Sequence, residues 1–321
     1  MKIKSVGYVG LGAPDPAVWL QYATGIIGMM PARAVPGEGW SIPGTVQGDD
    51  GAGRPSGGRG IAEDGTVYLK MDERQWRVAV HPSEENRGLH YLGLEVDGVQ
   101  ELEAAVVELG QHGVAVDMGS ADDAFARGVT GLARFKDPAG VSLELFYGPA
   151  VDYKFSSPIP NTRFVAGHLG FGHAILFVDR MAEVFDFYTR VLGFKLTDFI
   201  RFGPGHSIRF LRCNERHHSI GLADVGVPGG LHHVMFEMQN ADQVGRTLDR
   251  VQRAAIPITA SLGRHVNDHM LSFYMRSPFG FGVEIGCEGM MIDHTWTANE
   301  FCEGDIWGHH GIAEDVQKSS E

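Results

Sequence analysis

The chain has 321 residues, 43% hydrophobic and 21% charged, a balance that supports folded cores and excludes wholesale disorder. A formal net charge of −13 argues against a nucleic-acid groove or an anionic membrane surface as the main partner. No apolar run reaches the length of a bilayer span.

The opening, MKIKSVGYVGLGAPDP, reads as a strand entering a turn and lacks the long apolar stretch of a signal peptide. From there the chain is written twice. SVGYVGL, GLHYLGLEV and FKDPAGVSLELFYG in the first half are answered by GFGHAILFV, GLHHVMFEM and MRSPFGFGVEIG in the second. Asp137 to Glu144 covers the same interval as Ser277 to Glu284. Tyr8 to Tyr91, however, exceeds His173 to His233 by about two dozen positions. A Gly/Pro-rich segment near 36–60 nearly accounts for the excess and is expected to be a surface insertion. The run HPSEENRG at 81–88 reads as a solvated loop.

In the second half, 181–192 carries Val184, Phe185, Tyr188, Val191 and Leu192 at helical spacing and ends at Gly193. A second helix is expected over 241–254, with Val244, Leu248 and Val251 on one stripe. Strand-forming runs follow each helix, at 208–213 and 219–223 and again at 270–274 and 282–285. The expected fold class is α+β: about four tandem βαβββ modules in two similar domains, 1–150 and 151–300, with sheets curled around a cavity. Residues 301–321 are expected to be a C-terminal tail whose acidic residues are frayed. Cys213, Cys287 and Cys302 are widely spaced and lack CxxC geometry, which implies a reducing, cytoplasmic setting.

A lone histidine on a strand is more often a satisfied polar residue than a ligand. The repeat changes that weighting. His173 and His233 correspond to Tyr8 and Tyr91, while Glu284 corresponds to Glu144. One copy offers two imidazoles and a carboxylate; the other offers two phenols, which are poor ligands at neutral pH. A single metal site in the second half follows, with Glu144 a structural remnant. Two histidines and a carboxylate form the facial triad of non-haem Fe(II) oxygenases, which leaves coordination positions open for substrate and dioxygen. His232 is expected on the opposite face of its strand from His233.

Further along come Arg216-His217-His218 and LGRHVNDHMLSFYMRSPFGFGVEIGCEG. With His265, Phe273-Tyr274, Pro278, Gly280 and Glu284 in order, this stretch resembles the type I extradiol dioxygenases of the vicinal oxygen chelate superfamily. The likeness to the 2,3-dihydroxybiphenyl and steroid-catechol enzymes runs from VGYVGL to IWGHHG. Ser277 departs from the family's usual residue before the proline but keeps a hydroxyl. The resemblance implies Fe(II) on His173, His233 and Glu284, with Mn(II) able to occupy the same donors. It implies His218 as the acid/base beside its neighbour His217, Tyr274 as a hydrogen-bonding pocket residue and His265 as a substrate-orienting one. Asn267 and Asp268 would bind substrate or orient the ligands, or merely form a turn; His269 is given no role. The implied reaction is O2-dependent cleavage of a bulky 3-substituted catechol, such as 2,3-dihydroxybiphenyl, beside its two hydroxyls. The implied protein is a homo-oligomer with no nucleic-acid or membrane partner. Steroid catechols and dihydroxynaphthalene are alternative substrates. A metal-dependent isomerase, hydrolase or thiol transferase, and a non-catalytic aromatic-binding protein, are the alternatives on the same scaffold.

Overall fold

The computed structural model describes residues 1–32, 58–85, 88–152 and 155–318. The segment expected to be an insertion lies, over 36–57, outside these residues.

Among the described residues, eight strands build the first sheet: β1 (Ser5–Ala13), β2 (Met30–Pro31), β3 (Val67–Lys70), β4 (Val78–Pro82), β5 (Gly88–Glu95), β6 (Asp117–Met118), β7 (Gly131–Lys136) and β8 (Ser142–Tyr147). Ten build the second: β9 (His173–Val178), β10 (Lys195–Gly203), β11 (His206–Arg212), β12 (Ile220–Asp224), β13 (Gly229–Glu237), β14 (Ile258–His265), β15 (Leu271–Arg276), β16 (Gly282–Cys287), β17 (Asn299–Phe301) and β18 (Asp305–Trp307). The helices are α1 (Pro16–Tyr22), α2 (Val99–Gln111), α3 (Ala121–Arg127), α4 (Met181–Asp186), α5 (Ala241–Arg253) and α6 (Ile312–Lys318).

The strand orders reveal the repeat directly. The first sheet runs β2-β3-β4-β1-β5-β8-β7-β6, and the second keeps the same permutation, β10-β11-β12-β9-β13-β16-β15-β14, with β17 and β18 added at its ends. Each half is thus two βαβββ modules side by side, as expected. Helical periodicity placed the crossover helices well. The stretch 181–192 is α4 continued by a wider helical turn over Phe187–Val191, and Gly193 then takes the left-handed φ of 79° that ends it. Asn240 caps α5 by accepting from the Gln243 amide, and Val244 and Val251 are fully buried beneath it. The halves share one apolar core, in which Trp19 of α1 stacks on Phe281 at 5.7 Å.

Two expectations fail, the first over part of its range, since 83–85 are loop. His81 and Pro82 are the end of β4 rather than solvated loop, and His81 is half-buried with Nε2 2.8 Å from the Tyr91 hydroxyl. The polar composition of 81–88 concealed a strand end whose imidazole has a partner in β5. Nor is the C-terminal segment a loose tail over 301–318, or its acidic residue Asp315 frayed. β17 pairs in parallel with β10, β18 pairs with β14, and an Arg276–Asp315 ion pair ties down α6. Edge pairing of this kind depends on a free strand edge far away in sequence, which composition does not reveal.

Candidate metal centre and catechol pocket

Register brings three ligand-type side chains to one place. Across the sheet His173 lies opposite Met235, and Met235 opposite Glu284. Directly opposed residues share a face, and His233, two positions before Met235, points the same way. The result is a triangle: His173 Nε2, His233 Nε2 and Glu284 Oε2 each stand 3.1 Å from the other two. All three side chains are buried.

The first half repeats this register, with Tyr8 opposite Gly93 and Gly93 opposite Glu144, and Tyr91 two positions earlier. Its chemistry differs. Tyr8 donates to Glu144 at 2.6 Å, and the Arg127 guanidinium grips the same carboxylate at 3.0 Å while lying 4.3 Å over the Tyr91 ring. A permanent cation built into the chain thus neutralises Glu144.

In the second half no guanidinium of the described residues fills the triangle. Both Glu284 oxygens are buried, and neither has a hydrogen-bond partner among the described residues, although His173 and His233 stand 3.1 Å and His265 3.5 Å away. Held by imidazoles without a hydrogen bond, the carboxylate is only partly compensated, and part of its burial cost is left standing. A divalent cation relieves it. Donors about 2.1 Å from a common ion stand about 3.0 Å apart at right angles and about 3.4 Å apart in a tetrahedron. The observed 3.1 Å fits three adjacent corners of an octahedron. Among the described residues the cluster closes at these three side chains. Burial pushes His233 down to about 4, leaving a neutral imidazole with a lone pair to give. Burial alone would raise the Glu284 carboxyl, but His173, His233 and His265 hold it well below the usual carboxylate range.

The triangle forms part of the wall of a cavity of about 390 Å³. Ile175, Phe177, Ile200, Phe210 and Ala223 make an apolar wall, and Ile312 and Val316 of α6 close it from the C-terminal segment. His218, His265, Asn267, Asp268 and Tyr274 all reach this cavity, whereas His217 does not. The His218 ring lies against His173, tilted by 31° with the ring centroids 4.1 Å apart. Its pKa is pushed well below the ordinary value, first by burial and then by the neighbouring His173 and His217, so it stands neutral. Arg216 anchors this turn by pairing with Glu237 and donating to the carbonyls of Val165 and Leu169. Burial and the nearby Glu284 charge raise the Tyr274 hydroxyl, which therefore stays a phenol, 2.8 Å from His265 Nε2. Asp268 is buried and its carboxylate accepts the Met270 amide, while His269 is exposed, with φ 59°. A larger open cleft of about 1170 Å³ lies around His112, Arg134 and Glu183. It contains none of the triangle, so volume and chemistry point to different places and the chemistry decides.

Sequence reasoning misplaced or missed three contributors. His232 does not face away from His233: a register shift between Leu231 and His233 swings it into the same cavity, with the two Nδ1 atoms 2.6 Å apart. Strict alternation fails at a bulge, where two residues oppose one. Asp305 and His309 come from the supposed tail. Asp305 Oδ1 lies 2.8 Å from His265 Nδ1 and 2.5 Å from His309 Nδ1, and His309 is buried against Ser272. Burial alone would lower His265, but Asp305 and Glu284 together hold it well above its ordinary value. The one available signal was IWGHHG itself, an apolar and histidine-rich run inside an otherwise polar terminus.

Comparisons with known proteins give the family. Residues 5–145 and 170–285 match the Glyoxalase/Bleomycin resistance protein/Dioxygenase superfamily, one match in each half. The chain is 35% identical over 320 residues to an iron-dependent extradiol dioxygenase of Rhodococcus jostii, covering 96% of this chain and 97% of that one. It is 37% identical over 319 residues to a biphenyl-2,3-diol 1,2-dioxygenase of a Pseudomonas species, covering 97% and 99%. Among solved structures, a halotolerant catechol dioxygenase superposes with a TM-score of 0.84 at 31% identity, covering 98% of this chain and 97% of that one. The chain therefore belongs to the extradiol dioxygenases of the Glyoxalase/Bleomycin resistance protein/Dioxygenase superfamily, metal-dependent enzymes that act on catechols with O2.

Proposed function

We propose that this enzyme opens a bulky 3-substituted catechol, of the 2,3-dihydroxybiphenyl type, beside its two hydroxyls at an Fe(II) held by His173, His233 and Glu284. The observation that carries the reading is the 3.1 Å triangle of two imidazoles and a carboxylate in the wall of a 390 Å³ cavity with an extended apolar side. Iron is favoured over manganese because the Rhodococcus relative is named as iron-dependent. The bulky substituent is favoured because Ile175, Phe177, Ile200 and Phe210 offer more apolar surface than a bare catechol ring needs.

When bound, the metal supplies a positive centre that takes the catechol oxygens and activates O2. The protein does the rest. His218, neutral and in the cavity wall, accepts the proton of a substrate hydroxyl and later returns it. Tyr274, held as a phenol, donates a hydrogen bond to a substrate oxygen. His265, gripped by Asp305, orients the substrate beside Tyr274, and Asn267 and Asp268 complete the polar rim. The aromatic and aliphatic wall keeps water from the reacting ring. Three free cysteines support a reducing cytoplasmic home.

The test is direct. Protein purified without air is assayed for iron and manganese. O2 uptake and yellow product are then followed with 2,3-dihydroxybiphenyl, 3-methylcatechol, 1,2-dihydroxynaphthalene, a steroid catechol and catechol itself. The reading expects one iron per chain and the highest kcat/KM on 2,3-dihydroxybiphenyl. A preference for unsubstituted catechol refutes the substrate class, and no O2 uptake with any of them refutes the reaction.

A further inference from the structure

Behind His218 lies a buried histidine–carboxylate pair that does not line the cavity. His217 is 2% exposed and Asp198 fully buried, with His217 Nε2 2.9 Å from Asp198 Oδ2. On its other side, His217 Nδ1 is 3.0 Å from His218 Nδ1. The arrangement is built in. A register shift between Leu196 and Asp198 in β10 re-aims the aspartate. The Thr197 hydroxyl donates to the His217 carbonyl at 2.6 Å. Trp296 donates to the Thr197 carbonyl at 2.8 Å and sets its ring edge-on to His217 at 5.9 Å.

Proton bookkeeping along this line has one solution for neutral imidazoles. A carboxylate only accepts, so the hydrogen of His217 sits on Nε2. Its Nδ1 is then an acceptor, and the contact to His218 Nδ1 requires the hydrogen to be on His218. Asp268 Oδ2, 3.9 Å from that same Nδ1, favours the same placement. His218 Nε2 is therefore the bare nitrogen. It is buried, without a hydrogen-bond partner among the described residues, and belongs to a side chain in the cavity wall.

We propose that Asp198 and His217 are positioning residues that lock His218 in the tautomer whose bare Nε2 is offered to the substrate. The proposal takes its substrate from the ring-cleavage reading above, but the tautomer rests on protein geometry alone. In the step served, a catechol O–H bond breaks, its electron pair stays on oxygen, and the proton forms the Nε2–H bond of His218. The imidazolium so produced keeps donating from Nδ1 to His217, and no electrons change hands.

The experiment reads the tautomer and the rate separately. Long-range proton–nitrogen correlation NMR on 15N-histidine protein, loaded with diamagnetic Zn(II), identifies the bare nitrogen of His218. The proposal expects Nε2 bare in the wild type and protonated, or mixed, in Asp198→Leu and His217→Phe. With iron, those variants lose roughly 10- to 100-fold in kcat, the worth of one charge-assisted hydrogen bond, while KM stays within about threefold. His217→Asn, whose amide oxygen can replace Nδ1 as the acceptor, keeps His218 Nε2 bare and retains kcat within about fivefold of wild type. A wild-type His218 protonated on Nε2 overturns the proposal, as does an unchanged tautomer in both Asp198→Leu and His217→Phe. If those two variants do not fold, the wild-type tautomer and His217→Asn still decide. A bare Nε2 in a protein that turns over no catechol would instead sink the ring-cleavage reading and leave the positioning device standing.

Discussion

Replacing Glu284 by methionine should stabilise the metal-free protein and destabilise the metal-bound one, relative to wild type. Glu284 is 1% exposed, and its oxygens have no hydrogen-bond partner among the described residues. His265, its cationic neighbour, keeps Asp305 as a partner when Glu284 is removed, so the exchange takes out a buried charge without stranding another, a change that is commonly neutral or stabilising by about 1–4 kcal/mol. Taking about 2 kcal/mol, and about 2–4 °C per kcal/mol for a domain of this size, Glu284→Met should melt about 4–8 °C above wild type in chelator. Metal reverses the order. At 100 times its Kd it adds about 2.7 kcal/mol to wild type, or about 5–10 °C, and adds nothing to a variant with two ligands left. The assay is anaerobic thermal unfolding of both proteins, with chelator and with Fe(II). If the metal-free variant melts well below wild type, the carboxylate is a structural partner of His173 and His233 and the argument for a metal there fails. The same holds if Fe(II) raises both proteins equally.

The first half should respond in stability and not in turnover. Arg127→Leu removes the main partner of the buried Glu144 and leaves Tyr8 and a longer contact from Arg134 at 3.4 Å. The cost in denaturant unfolding should be about 3 kcal/mol, with kcat unchanged; a variant as stable as wild type would refute the guanidinium's role. His81 is pushed from 6.5 down to about 4, first by burial and then by the Arg127 and His90 charges. Between those pH values the unfolded chain takes up a proton that the folded chain refuses, so stability falls as pH falls through this window. Wild type should lose roughly 2–3 kcal/mol between pH 7 and pH 4 that His81→Gln does not lose, measured by denaturant titration at each pH. Ala223→Phe narrows the apolar wall of the cavity. It should cut kcat/KM for 2,3-dihydroxybiphenyl by about tenfold or more while leaving catechol within about threefold, as overpacking of about 1–3 kcal/mol predicts. Equal losses on both substrates would place the distal ring elsewhere.

Much of this protein is legible in the order of its residues. The duplication shows there because equivalent strands of a repeat need the same apolar, small and turn-forming side chains at the same spacing. Comparing the copies set His173, His233 and Glu284 against Tyr8, Tyr91 and Glu144, and the matching registers of the two sheets bear out that alignment. Helical periodicity likewise placed α4 and α5, whose buried stripes are local properties of the chain.

What the tertiary structure alone decided lies where strands meet partners distant in sequence. The bulge at Leu231–His233 turned His232 into the cavity, and the one at Leu196–Asp198 aimed Asp198 at His217. A bulge arises from the mismatch between two paired strands, so neither strand's own pattern announces it. Asp305 and His309 reached the site because β18 found the open edge of β14, an event that depends on which edge the rest of the sheet leaves free. Residue types determined what chemistry the chain could carry; pairing between distant strands determined which side chains meet to perform it.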